Sequence, residues 1–570
     1  MYLDYKVKIP HPEHGITRKK IRGVTYIYYS YGREYNAEKK YTVPKCTSIG
    51  KCDDDSDMMY PNLNYIKFFP EAELPETKPQ AYRSGCLRVG TFLVLRKIMS
   101  EYHLDEILDR IIGKDSGLFL DIAAYTIVAE NNAGQYYPDY AFNHPLFTRG
   151  MRVYSDSKVS SFLSSIMKDQ SIAFQDEWNE KRDHRQKIYI SYDSTNKNSQ
   201  AGDIDLVEFG HPKDDCGEPV INYSVAYDRN NSVPLYYEDY PGSIVDIAQL
   251  QFMLEKAGGY GYRNVGFILD RGYFSKENIH YMDKCGYDFV IMMKGRKDLV
   301  RELVLQVKGT FEEKREYSIR YYKVSGITIK KQLYPSDEKE RYFHIYYSDR
   351  KKGSEHEAVE SKIDRMAECL AKHEGTKFDV TGSGFEKYFD MIYFHKGQPD
   401  EKFMYAREKY DVIDREIELC GYFVLITSEK MTASEALELY KSRDVSEKLF
   451  RMDKTFLGNK SIRAHSNESV QAKMFIEFVA LIIRNRLYTC LKEQTAKSSH
   501  KQNFMTVPAA IRELEKIELI RQPDGEYRMD YAVTATQKEI LKAFGMSASD
   551  IRRQAAELNE DLKNCEQEEP

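Results

Sequence analysis

A single tryptophan, Trp178, occurs in 570 residues. That scarcity argues against a glycoside-cleaving cleft, because no tryptophan is available to stack a sugar beside the paired carboxylates found further on. The nine cysteines are odd in number and form no CxxC pair, so neither a disulfide framework nor a structural zinc site is expected. A reducing cytoplasm is the simple reading. The first residues, MYLDYKVKIPHPEHG, contain no apolar core of a signal peptide. No long uncharged run exists either. The most apolar stretch, residues 474–491, carries Glu477, Arg484 and Arg486 and reads as a buried helix rather than a membrane span. Net charge is −5, which argues against a general basic coat for nucleic acid but not against a local basic groove. No internal repeat is present.

What is there fits a folded soluble protein: 42% hydrophobic and 30% charged residues, in a chain too long for one ordinary core. The 45 tyrosines lean towards binding surfaces and strands. Residues 1–85 read as β-rich, with a hairpin inside residues 20–50. An acidic loop at 53–57 lacks the glycine and distal glutamate of a calcium loop. Residues 86–186 show helical spacing and are of a size suited to recognising DNA ends. From 187 the pattern alternates: KIYISYD, DLVEFG, VINYSVAYD and VPLYYEDY read as strands, and residues 243–259 as a helix capped by Ser243 and Asp246. NVGFILD follows as a strand, then a helix capped by Ser275, then YDFVIMM. This is a mixed α/β layer over 187–294. Residues 295–425 read as a β-rich insertion, with RKDLVRELV among its strands and a charged helix at 353–373. Residues 426–492 return to helix, and 493–570 form a charged helical tail.

Two groups of residues carry the chemistry. Within the predicted helix of 434–456, Tyr440, Arg443, Glu447 and Lys454 stand at spacings of three, four and seven. Seven residues fall about 20° short of two turns and four overshoot one turn by about 40°, so all four share a stripe roughly 20 Å long, with Arg451 beside it. Cations and a phenol flanking one carboxylate suit a surface that meets phosphates and a metal together. A solvated face with ordinary i,i+4 ion pairs would look the same. Upstream, Asp193 and Asp270 each close an apolar strand, in the contexts YDST and DRGY. A carboxylate there needs a positive partner. Two of them and a helix glutamate are the hard-oxygen set that holds Mg²⁺.

With these residues in place, the chain resembles the bacterial insertion-sequence transposases of the DDE type that carry a Y-x2-R-x3-E-x6-K signature. Tyr440, Arg443, Glu447 and Lys454 match every spacing. DRGY matches the context of the second aspartate and YDST that of the first. FGHPKDD (209–215) and VPLYYEDYPGSIVD resemble further family segments, and the resemblance covers about 85–460. It implies a ribonuclease-H-like catalytic core with a β-rich insertion. Asp193, Asp270 and Glu447 would be catalytic and would bind two Mg²⁺ ions, with Mn²⁺ able to substitute. Tyr440, Arg443, Lys454, Arg451 and Arg271 would hold DNA phosphates. It also implies transposon-end and target DNA as partners, a homodimer in a synaptic complex, no membrane, and a cytoplasmic, nucleoid-associated location.

Other readings stay beside it. A metal-dependent nuclease on the same fold, or a domesticated DNA-binding protein that no longer cuts, would share these residues. Ser194 and Thr195 either cap the first strand or hold a phosphate. His184, His211 and His280 read as surface residues. A basic groove is expected from Lys294, Arg296, Lys297, Arg443, Lys448, Arg451 and Lys454. If a flipped base is stacked during the reaction, a Tyr or Phe must do so.

Overall fold

The computed structural model describes all residues except 1, 4, 5, 12–14, 22, 37–39, 53–55, 73–82, 200–203, 211–216, 295, 296, 379–383, 445–447, 449, 451, 452, 456, 459, 498–501, 523, 524, 569 and 570. The chain divides into two compact units, Met1–Ser84 and Gly85–Pro570.

The first unit is a five-stranded sheet and one short helix. Its strands are β1 (Val7–Lys8), β2 (Ile16–Ile21), β3 (Val24–Asn36), β4 (Tyr41–Cys52) and β5 (Met58–Pro61), in the order β1-β5-β4-β3-β2. The long β3–β4 hairpin is the one its alternation of β-formers predicts. Helix α1 (Leu63–Phe68) starts at Asn62, whose side chain accepts from the amides of Asn64 and Tyr65. Its Tyr65 packs with Val7, Ile27, Ile49, Cys52 and Met59, so one face of the sheet is core.

The second unit opens with β6 (Cys86–Arg88) and six helices: α2 (Gly90–Glu101), α3 (Leu104–Ile112), α4 (Ser116–Ala129), α5 (Tyr137–Asn143), α6 (Asp156–Ser165) and α7 (Lys168–Glu180). Then come β7 (Ile188–Asn198), β8 (Val220–Asp228), β9 (Val233–Pro241), α8 (Asp246–Gly259), β10 (Val265–Leu269), α9 (Lys276–Cys285), β11 (Asp288–Met292) and α10 (Lys297–Val307). The insertion supplies β12 (Ser318–Ile319), β13 (Val324–Gln332), β14 (Glu340–Tyr347), α11 (Asp349–Ala371), α12 (Phe385–Tyr388), β15 (Phe389–Phe394), β16 (Lys402–Glu408) and α13 (Tyr410–Ile417). After β17 (Tyr422–Thr427) and α14 (Ala433–Lys441), the long α15 (Asn467–Lys497) precedes α16 (Val507–Leu514), β18 (Glu518–Arg521), β19 (Tyr527–Met529), α17 (Ala535–Ala543) and α18 (Ala548–Glu568).

Nine strands form one mixed sheet, β12-β13-β14-β17-β11-β10-β7-β8-β9. The three at its centre, β7, β10 and β11, run parallel. Every residue of β10 (VGFIL) is buried, as a strand covered on both faces must be. Along it, Val265, Phe267 and Leu269 face the large core built with α8, α9 and α15, while Ile268 faces α14. Gly266 between them has no room for a side chain, since a Cβ there would lie 2.5 Å from the Tyr189 ring on β7.

Several local expectations change. Residues 297–307 are helix, not strand: Leu299, Leu303, Val304 and Val307 are buried at helical spacing. DLVEFG contributes only a single bridge, Glu208 to Val220. Helix α8 has Val245 at its N-cap with no side-chain cap, because Ser243 hydrogen-bonds Glu208 instead. The insertion's β13 and β14 do not stand apart; they extend the main sheet beside β17. Ser275 does cap α9, accepting from the Asn278 amide. No described helix is long and apolar enough to cross a membrane.

Candidate active site

Register brings the two aspartates together. In the parallel pair of β7 and β10, Ile268 lies opposite Ser191 and Leu269 opposite Tyr192. The next residue on each strand is Asp193 and Asp270. Each therefore directly follows a paired residue on neighbouring strands, whose spacing is about 4.8 Å. Alternation aims both at the α14 side, because Tyr192 and Leu269, one residue earlier, point into the opposite core. Two carboxylates at that spacing would repel by roughly 3–4 kcal/mol at an effective dielectric of about 20, so the pair favours a cation nearby.

Asp193 does not end its strand as expected; β7 continues to Asn198, and it is β10 that stops. Ser194 and Thr195 therefore do not cap a strand end. Both are buried within β7, and the Ser194 hydroxyl accepts from Tyr273 at 3.0 Å. That bond fastens the DRGY turn back onto the strand carrying Asp193, whose Oδ1 accepts the Ser194 amide at 2.9 Å.

The cation comes from the end of α14. A capping box, Thr432 with Glu435, starts this helix, and Ala433, Leu437 and Tyr440 lay it against Ile268, Val290 and Leu425. The helix stops at Lys441, and Ser442 and Arg443 form a turn. The continuous stripe from Tyr440 to Lys454 is thus interrupted after its first member. The turn directs Arg443 at the aspartates: its Nη1 is 2.8 Å from Asp270 Oδ1, with the arginine side chain 14% and the aspartate 36% exposed. The Tyr440 hydroxyl donates to the same oxygen at 3.4 Å, and the guanidinium lies 5.4 Å from the Tyr440 ring centre. Burial pushes the Tyr440 phenol up to about 12; Arg443 draws it down and Asp270 adds to the rise.

The remaining candidates are spread more widely. Arg271 is exposed beside Asp270. Lys454 is half-buried in a helical turn at 453–455. Glu447 and Arg451 lie outside the described residues, as do Arg296 and His211 of the sequence reading. Among the described residues no three or more His, Cys, Asp or Glu side chains gather as a metal cage. Trp178 is fully buried, donating its indole N–H to Pro234 O at 2.9 Å with Arg182 stacked on its ring, so it has no face to offer a base. His184 is held by Asn179 O at 2.9 Å and His280 by Asp337 at 3.2 Å.

A buried charge cluster that sequence reasoning missed adjoins this site. Lys197, four residues beyond Asp193 on β7, has no exposed side-chain surface; it lies 2.5 Å from Asp453 and also contacts Glu477 of α15. Lys197 holds the segment before Lys454 to the strand of Asp193. Burial, with Asp453 beside it, pushes the Glu477 carboxyl well above the usual range. Two signals pointed here: a lysine inside the polar strand YDSTNKN, and a glutamate inside MFIEFVALII.

Residues 191–483 match the family described as the transposase DDE domain, a span that runs from β7 into α15 and includes Asp193, Asp270 and Glu447. No curated protein matches the chain. Among solved structures, one similar chain is the piggyBac transposase in a synaptic complex with hairpin DNA, at 7% identity and a TM-score of 0.31, over 73% of this chain and 65% of that one. Another is the Mos1 transposase in a paired-end complex with the left transposon end, at 12% identity and a TM-score of 0.14, over 42% and 68%. The chain thus spans just under two thirds of the piggyBac chain. Its sheet, with parallel β7, β10 and β11 flanked by antiparallel strands and covered by helices, is of the ribonuclease-H-like type. With the family match covering more than half its length, the chain belongs to the DDE transposase family.

Proposed function

We propose that the chain is the transposase of an insertion sequence, which binds the element's terminal inverted repeats and cuts and joins DNA by in-line phosphoryl transfer. The observation that carries this reading is the adjacent pair Asp193 and Asp270, balanced by Arg443. Two hard carboxylates on one face of neighbouring strands fit a divalent ion of the Mg²⁺ type, and Glu447 is the third ligand we assign; Mn²⁺ can substitute. When bound, such ions activate water or a DNA 3′-hydroxyl and stabilise the leaving oxygen.

The chain's own residues do the rest. Tyr273, bonded to Ser194, fixes the turn after Asp270 so that both aspartates keep their spacing. Arg443 and Tyr440 hold Asp270 Oδ1, and the arginine offers the planar fork that takes a phosphate in two hydrogen bonds. Lys454, Arg451 and Arg271 would grip further phosphates. Two ends must be brought together, so the working assembly in this reading is a homodimer on DNA.

The test is cleavage of a plasmid carrying the element's own ends with Mg²⁺, comparing wild type with Glu447→Gln. Cutting and joining at the ends that fall at least about a thousandfold in the variant, with end binding kept, is the expected result. Equal cutting by both would reject the assignment of Glu447. Cutting without joining would leave a hydrolytic nuclease.

A further inference from the structure

The sheet of Met1–Ser84 has a second face that the proposed chemistry does not use. Its register places Lys19 of β2 opposite Tyr26 of β3, Tyr26 opposite Lys51 of β4, and Lys51 opposite Tyr60 of β5. Residues paired in this way point to one side. The other side is the one filled by Ile27, Ile49 and Met59 under α1. A band of alternating lysine and tyrosine therefore crosses four strands on the face away from the core. Tyr28, two residues beyond Tyr26, extends it.

The lysine heads are held in place. Lys19 Nζ lies 4.8 Å from the Tyr28 ring centre, and Lys51 Nζ lies 5.0 Å from that of Tyr2, itself 6.3 Å from Tyr26. Each cation–π contact offsets part of the rotamer freedom a lysine loses on being ordered. Neither Lys19 nor Lys51 makes an ion pair among the described residues, although Arg18 and Lys45 nearby do. The unit also differs in charge from the whole: residues 1–84 hold 14 Lys and Arg against 11 Asp and Glu, a balance of +3 in a chain of −5.

We propose that this face is a DNA-docking surface, separate from the catalytic sheet, which holds duplex DNA by its phosphates. Ring-ordered ammonium groups two strand spacings apart, about 10 Å, present fixed positive charge to a polyanion, and the phenol hydroxyls can donate to phosphate oxygens. The Tyr2, Tyr28 and Tyr60 rings lie under lysines rather than open to bases, which favours contact with backbone over sequence. The surface stands on its own geometry; the choice of DNA over an acidic protein as occupant rests on the transposase reading.

The test uses the full chain without divalent metal and a short labelled duplex of arbitrary sequence, with anisotropy followed over a salt series. For the Lys19→Gln/Lys51→Gln double variant the affinity near 0.1 M salt should fall about tenfold. The slope of log K against log salt should become shallower by about 1.8, or 0.9 per lost phosphate contact. The Lys19→Arg/Lys51→Arg variant should retain both. An unchanged slope in the glutamine variant, with its thermal melting unchanged, would overturn the proposal. So would a loss confined to single-stranded DNA. Neither outcome bears on the active site, whose failure is read separately from end cleavage by Glu447→Gln.

Discussion

At the scale of single residues, the account turns on the ion pair of Arg443 with Asp270. It gives one of the two carboxylates on that sheet face a positive partner from the protein itself. Arg443→Ala should lower the stability of the metal-free chain by about 1–2 kcal/mol, a range reduced for the partial exposure of Asp270. Added Mg²⁺ should then raise the melting temperature more than it does in wild type, since the ion would relieve a repulsion that Arg443 otherwise masks. A smaller rise in the variant would contradict the account. The position of Asp270 was legible: it follows a run of apolar β-formers and stands where β10 stops, whereas β7 runs on past Asp193. The Arg443 contact was not legible. Spacing arithmetic assumes an unbroken helix, and the turn at Ser442 cannot be seen in it.

At the scale of elements, the nine-stranded sheet depends on strands that the insertion supplies. His344 in β14 is fully buried between Thr328 and Thr427, bonded to both, and burial lowers its pKa to about 4. A depressed histidine stays neutral in the fold while the unfolded chain takes up a proton below about 6.5. The stability is therefore complete above that pH and falls as pH drops towards 4, by at most about 3 kcal/mol. His344→Gln should keep the hydrogen bonding and lose that part of the acid sensitivity, read as denaturation midpoints at pH 7 and pH 4. An equal loss in both proteins would show that His344 is not the group responsible.

The Lys197 cluster ties three other elements together, and Lys197→Met leaves two buried carboxylates facing each other. We expect a cost of about 3–5 kcal/mol at pH 7 that shrinks in acid as the raised Glu477 carboxyl takes up a proton. A cost unchanged between pH 7 and pH 5 would argue against that origin. Element type was readable where spacing was long and regular, as in α14 and α15. It was misread at 297–307, where charged residues interrupt a helical repeat of Leu and Val and mimic short strands. The place of β14 beside β17 was not readable, because their antiparallel pairing joins residues about 80 apart.

At the scale of the whole molecule, the proposed chemistry falls in residues that the family match spans and a positive balance falls in Met1–Ser84. The net charge of −5 hides this division, and only the cross-strand register of Lys19, Tyr26, Lys51 and Tyr60 shows that the tyrosine-rich hairpin has a charged face. The central claim is that Asp193 and Asp270 form a site for divalent ions. It is tested most directly by calorimetric titration of Mg²⁺ and Mn²⁺ into the wild-type chain, Asp193→Asn and Asp270→Asn. Binding by wild type that is lost in each variant, with the fold kept by circular dichroism, is the predicted result. Equal binding by all three would contradict the account and place the metal elsewhere.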